Sequence, residues 1–227
     1  MINKSVKKPL IIINFKAYAE GTGEGALKIA KIAKKVSNET GKCIALAPQF
    51  VDIRSIAQEF EIPLFSQHID PIEPGAHTGK ILPESIKEAG AIGTLINHSE
   101  RQIKISNIEE AIFRAKSLKL TTVVCASTAN ISMSVATLDP DMVAIEPPEL
   151  IGKGRAVSKV NPEIITNTVS LVRKVNPRVA ILCGAGITNG DDIKAAIKLG
   201  ADGVLLASGV VKAKEQESVL FDLASQI

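Results

Sequence analysis

The chain has 227 residues, 45% of them apolar and 22% charged, with a formal net charge of +3. That apolar fraction excludes a disordered tail, and 16 Gly and 11 Pro without period exclude a collagen-like or mucin-like chain. Aromatics at 3%, with no Trp, leave no stacking platform for bases, so no nucleic-acid partner is expected.

The N-terminal stretch MINKSVKKPLIIINF is basic, but its apolar run is short and Lys16 follows at once. It matches neither a signal segment nor a membrane span. From there short, β-branched apolar runs recur: 10–15, 43–47, 64–67, 93–97, 121–126, 142–145, 179–183 and 203–207. They are continuous rather than alternating, which predicts strands buried on both faces in a parallel sheet. Between them lie helical patterns. Over 24–36, Leu27, Ile29, Ala30, Ile32, Ala33 and Val36 make one apolar stripe against a lysine-rich face. Ser106-Asn107 before Glu109 and Glu110, Asn161-Pro162-Glu163 and Asn189-Gly190-Asp191-Asp192 read as helix starts. Gly90 and Gly200 stand where helices should end. The segment 128–138 leaves room for only a short helix.

Eight β-α units, each of about 28 residues, predict right-handed crossovers and an α/β fold of the (β/α)8 barrel type, a TIM barrel, as a single domain over 1–227. An open doubly wound sheet is the alternative, but no Gly-x-Gly-x-x-Gly follows the first strand. Cys43, Cys125 and Cys183 lie in apolar runs at wide spacing, neither a disulfide framework nor a zinc pattern, and read as small buried hydrophobes. No metal site is expected.

In such a barrel the chemistry sits at the C-terminal ends of the strands. There the sequence places Asn14 and Lys16 after the first, Asn97-His98-Ser99-Glu100-Arg101 after the fourth and Glu146-Pro147-Pro148 after the sixth. Gly184-Ala185-Gly186 follows the seventh and Ala207-Ser208-Gly209 the eighth. A cation, a proton donor and a carboxylate base, beside two small-residue turns suited to phosphate, point to proton abstraction next to a carbonyl in a small phosphorylated substrate. Lys16 and His98 each also have a plain reading, a surface charge and a satisfied polar residue at a helix start; Glu146 is less easily read that way, because the two prolines after it stiffen the turn beyond a buried strand. The polar stretch 149–158 with Gly152 and Gly154 reads as a phosphate-approaching or lid-forming loop, or as ordinary surface.

Asn14-Phe15-Lys16, Pro74-Gly75-Ala76-His77-Thr78-Gly79, His98-Ser99-Glu100-Arg101 and Glu146-Pro147 with Ile151-Gly152-Lys153-Gly154 together resemble the triosephosphate isomerase family, over essentially the whole chain and in order. Pro148-Glu149, Gly186 and Ala207-Ser208 depart from the common pattern of that family and resemble its shorter, archaeal-type branch. The resemblance implies interconversion of D-glyceraldehyde 3-phosphate and dihydroxyacetone phosphate through an enediolate, in glycolysis and gluconeogenesis. It implies Glu146 as general base and His98 as neutral electrophile, kept uncharged at a helix start. Lys16 would stabilise negative charge, and Asn14 would orient Lys16 and substrate. Backbone amides of Gly152, Gly186, Ala207 and Ser208 would hold the phosphate, with Ile151 packing over the substrate. Glu100 would hold Lys16, and Thr78, on the loop 70–79, would reach a partner's site. It further implies a cytoplasmic homo-oligomer, a dimer or tetramer, with a triose phosphate substrate, no cofactor and no membrane partner. Two rivals stay open at this point. One is a phosphate-binding barrel lyase using Lys16 as a Schiff base; the other is a sugar-phosphate-binding barrel without activity.

Overall fold

The computed structural model of the chain describes residues 6–147 and 161–227. Its strands are β1 (Leu10–Asn14), β2 (Cys43–Ala47), β3 (Phe65–Ser66), β4 (Gly93–Ile96), β5 (Thr121–Ala126), β6 (Met142–Ile145), β7 (Ala180–Cys183) and β8 (Gly203–Leu206). They pair in the order β2-β1-β8-β7-β6-β5-β4-β3, all in parallel. A single parallel bridge between Leu46 and Leu64 joins the two ends of that order and closes the ring. The expected β-α barrel is the fold observed. The predicted run 64–67 shrinks to a two-residue strand, because only Phe65 and Ser66 find ladder partners, Gly93 and Thr94 of β4.

Strand alternation divides the core into two layers. Leu10, Ile12, Ala45, Phe65, Leu95, Val123, Met142, Ala144, Ala180, Leu182 and Leu205 pack together inside the ring. Ile11, Ile13, Ile44, Leu46, Ile96, Val124, Val143, Ile181 and Val204 face the helices. Continuing the inner period upward by two residues gives Asn14 beyond Ile12, Glu146 beyond Ala144, Gly184 beyond Leu182 and Ala207 beyond Leu205. The barrel interior therefore opens, at one end, onto the residues singled out as chemical.

The helices relevant to the site are α1 (Glu24–Thr40), α2 (Ile53–Glu59), α3 (Pro83–Glu88), α4 (Ile105–Ser117), α5 (Ala129–Ala136), α6 (Pro162–Val175), α7 (Gly190–Lys198), α8 (Ser208–Val211) and α9 (Gln216–Ser225). α5 is the short helix expected between the fifth and sixth strands, with the Thr128 side chain accepting from the Ile131 amide. Asn189 caps α7 through its side chain, and Gly90 and Gly200 adopt positive φ just past helix ends. The helix start read at Ser106-Asn107 is corrected. α4 begins at Ile105, after Lys104, with no side-chain cap, so both polar residues lie in its first turn.

At the opposite rim two carboxylates tie neighbouring strands. Asp141 Oδ2 accepts from the Thr122 amide at 2.8 Å and its hydroxyl at 2.9 Å, and Asp202 Oδ2 accepts from the Ile181 amide at 3.0 Å.

Candidate active site

A cavity at the C-terminal end of the barrel is lined by Asn14, Lys16, His98, Glu146 and the turns after β7 and β8, with Tyr18 at its side. Asn14 is buried at the end of β1, and its Oδ1 accepts the Lys16 amide at 2.9 Å. Lys16 itself adopts a left-handed conformation, φ 49°. Its ammonium bonds Glu100 Oε1 at 2.8 Å, with the lysine side chain 11% exposed and the glutamate 58%. Glu100 thus anchors Lys16 from the rim of the cavity.

His98 reaches the site through a break in alternation. On β4 the inner positions run 93, 95, 97, which would send residue 98 outward. Asn97 takes φ 62° and turns the chain, so the buried His98 faces inward. The Asn97 side chain locks that turn: its Nδ2 donates to the Cys125 carbonyl at 3.0 Å and its Oδ1 accepts the Ile103 amide at 3.0 Å. The Glu100 amide donates to His98 Nδ1 at 3.2 Å. Nδ1 is therefore the bare nitrogen and Nε2 carries the proton. That Nε2 lies 3.4 Å from Glu146 Oε1.

The expectation that a helix start keeps His98 neutral is also corrected. His98 opens a tight turn closed by the Arg101 amide on its carbonyl at 2.7 Å, and α4 begins only at Ile105. Burial first, and then the Lys16 charge, push the imidazole down to about 4 against the opposing pull of Glu100. Neutrality has a different cause from the one expected.

Glu146 is 3% exposed. Burial raises its carboxyl to about 7, opposed by the Ser99 amide at 3.5 Å, by a hydrogen bond with the Cys125 thiol and by the Lys16 charge. Its room is made by Gly184: a Cβ there would stand 2.6 Å from Glu146 Cγ and 3.0 Å from the Ile145 carbonyl. Gly186 takes φ 74°, a left-handed turn that favours glycine. Ala207 precedes and Ser208 begins α8, whose first amides have no acceptor further back in their helix.

Of the residues expected, Asn14, Lys16, His98, Glu146, Gly186, Ala207 and Ser208 are brought to one cavity, and Glu100 stands beside it. Thr78 lies on the exposed stretch 73–80 and is not in that lining. Ile151, Gly152, Lys153, Gly154, Pro148 and the loop 149–158 lie outside the described residues.

Cys125, read from sequence as a plain buried hydrophobe, bonds the site carboxylate. The signal was available: it is the inner position two beyond Val123, and its register partner on β6 is Ala144, two residues before Glu146. Gln49 and Gln67, whose amides meet the Lys16 carbonyl, carried no such signal.

A sequence profile of the family described as triosephosphate isomerase matches residues 9–225. The triosephosphate isomerase of Methanobacterium bryantii is 55% identical over 226 residues, 100% of both chains. That of Methanocaldococcus jannaschii is 55% identical over 214 residues, 94% of this chain and 98% of its own. That of Methanothermobacter thermautotrophicus is 51% identical over 219 residues, 96% of each. All three come from methanogens.

Proposed function

The chain belongs to the triosephosphate isomerase family, and from that premise we propose how its residues divide the work. The reaction interconverts D-glyceraldehyde 3-phosphate and dihydroxyacetone phosphate, a step of glycolysis and gluconeogenesis. The Schiff-base lyase and the inactive binding barrel give way to it.

Glu146 removes the proton from the carbon beside the carbonyl and returns it to the neighbouring carbon. A base near pH 7 suits a weakly acidic C–H better than an ordinary carboxylate does. His98, neutral with its proton on Nε2, donates a hydrogen bond to the carbonyl oxygen as negative charge gathers there. A carboxylate base beside a neutral imidazole is a standard example of pKa tuning, drawn from this enzyme family itself. Lys16 offsets the enediolate charge and attracts the phosphate, and Asn14 fixes its backbone. Backbone amides of Gly152, Gly186, Ala207 and Ser208 hold the phosphate, and Ile151 packs over the substrate to exclude water. The transfer uses no metal and no cofactor.

The observation that carries this reading is the 3.4 Å approach of His98 Nε2 to a Glu146 carboxylate that burial has made basic. A coupled assay of glyceraldehyde 3-phosphate conversion tests it. Glu146→Gln is expected to keep the fold and lower kcat by on the order of 10²–10⁴-fold. Near-normal turnover in a soluble Glu146→Gln protein would falsify the assignment.

The working assembly is a homo-oligomer in which the loop 70–79 carries Thr78 towards a partner's site, and the chain works in the cytoplasm as one barrel domain. Among the described residues no helix is long and apolar enough to cross a membrane.

A further inference from the structure

Lys16 is held in a conformation that its own chemistry disfavours. A non-glycine residue at positive φ is disfavoured relative to the right-handed or extended forms, and Lys16 sits at φ 49°. Something outside the residue must hold it there. Its amide donates to Asn14 Oδ1 at 2.9 Å. Its carbonyl accepts from two side chains: Gln49 Nε2, from the turn after β2, and Gln67 Nε2 at 2.9 Å, from the turn after β3. Gln67 Nε2 also donates to the Ala47 carbonyl at 3.0 Å, so the same amide grips the end of β2. Ala47 in turn accepts the Phe15 amide at 3.0 Å. Three successive strand ends therefore converge on one peptide unit. Both glutamines are only partly exposed, and neither lines the catalytic cavity.

We propose that Gln49 and Gln67 are positioning residues for the isomerase reaction. They clamp the Lys16 carbonyl from two neighbouring strand ends and thereby hold its ammonium over the substrate. The inference rests on the role given to Lys16 above. Without the two donors, the peptide after Lys16 is free to rotate toward a relaxed φ and ψ, which swings the side chain away from its partner Glu100 and from the cavity. Misplacing a charged group by about 1 Å is enough to cost up to on the order of 10²-fold in rate.

The test is a double-mutant cycle. Gln49→Met keeps length and bulk and removes the donor, and it is made in the parent protein and in Lys16→Ala. In the parent, KM for glyceraldehyde 3-phosphate is expected to rise about 3–10-fold, with a smaller fall in kcat and an unchanged thermal midpoint. In Lys16→Ala, itself raised in KM, the same substitution is expected to change KM by less than about 2-fold. Gln67→Met should behave alike. Because Gln67 also bonds Ala47, a loss of folding there leaves Gln49→Met to decide. An unchanged KM in the parent, or an equal rise in both backgrounds, overturns the clamp while leaving the isomerase reading intact. If Lys16→Ala alone leaves KM and kcat as they were, the role of Lys16 falls and the clamp falls with it.

Discussion

At the residue scale, His98 and Glu146 pull stability in opposite directions with pH. His98 is held down to about 4, below its ordinary 6.5, so its unfolded form binds a proton first and stability is lost as pH falls from 6.5 toward 4. Glu146 is raised to about 7, above its ordinary 4.5, so its folded form keeps the proton longer and stability is lost as pH rises from 4.5 toward 7. Between these limits the two effects oppose each other. Glu146→Gln removes the second. Thermal unfolding from pH 5 to 8 should therefore show the variant gaining on the parent as pH rises, by on the order of 3 kcal/mol in full. A difference that stays flat across that range would count against the buried, basic carboxylate. In the parent, the acid limb of kcat/KM is expected near 7 rather than near 4.5. The sequence made both residues legible as types at strand ends. It could not show which force keeps His98 neutral, because that depends on burial and on Lys16, 82 residues away in the chain.

At the element scale, the period of two inside the barrel does most of the positioning. It delivers Asn14, Glu146, Gly184 and Ala207 to one end without any special turn, so these were readable once the strands were placed. His98 needed the left-handed Asn97, and an asparagine at positive φ looks like any other asparagine in a sequence. Cys125 shows the opposite failure. Its position followed from the register, yet composition alone made it a bland apolar residue. Gly184→Ala tests the same logic. The residue does not need positive φ, so the added Cβ acts through space alone, at 2.6 Å from Glu146 Cγ. Either the carboxylate or strand β7 must shift. A fall in kcat/KM of about 10–100-fold with a modest drop in thermal midpoint is expected. Parent-like kinetics would mean that Glu146 has slack the geometry does not show.

At the scale of the whole molecule, the chain's 24.0 kDa protomer is expected to associate, and light scattering should return a mass of two or four protomers. A single-protomer mass would remove the role proposed for the 70–79 loop. The ring itself carries an asymmetry with a further consequence. Seven of its seams are ladders, but β2 and β3 meet only at Leu46 and Leu64, with the Leu46 amide on the Pro63 carbonyl at 3.0 Å. This is where local opening should start, and native-state hydrogen exchange should find the Leu46 amide less protected than the amides between β1 and β8. Equal protection would mean that the ring opens only as a whole. Gln49 and Gln67 stand three residues beyond Leu46 and Leu64, one on each side of that seam. Parting the seam would carry Gln67 away from the lysine carbonyl while Gln49, beside the strand laddered to β1, stays, so the clamp proposed above would be halved whenever the barrel's weakest joint opens.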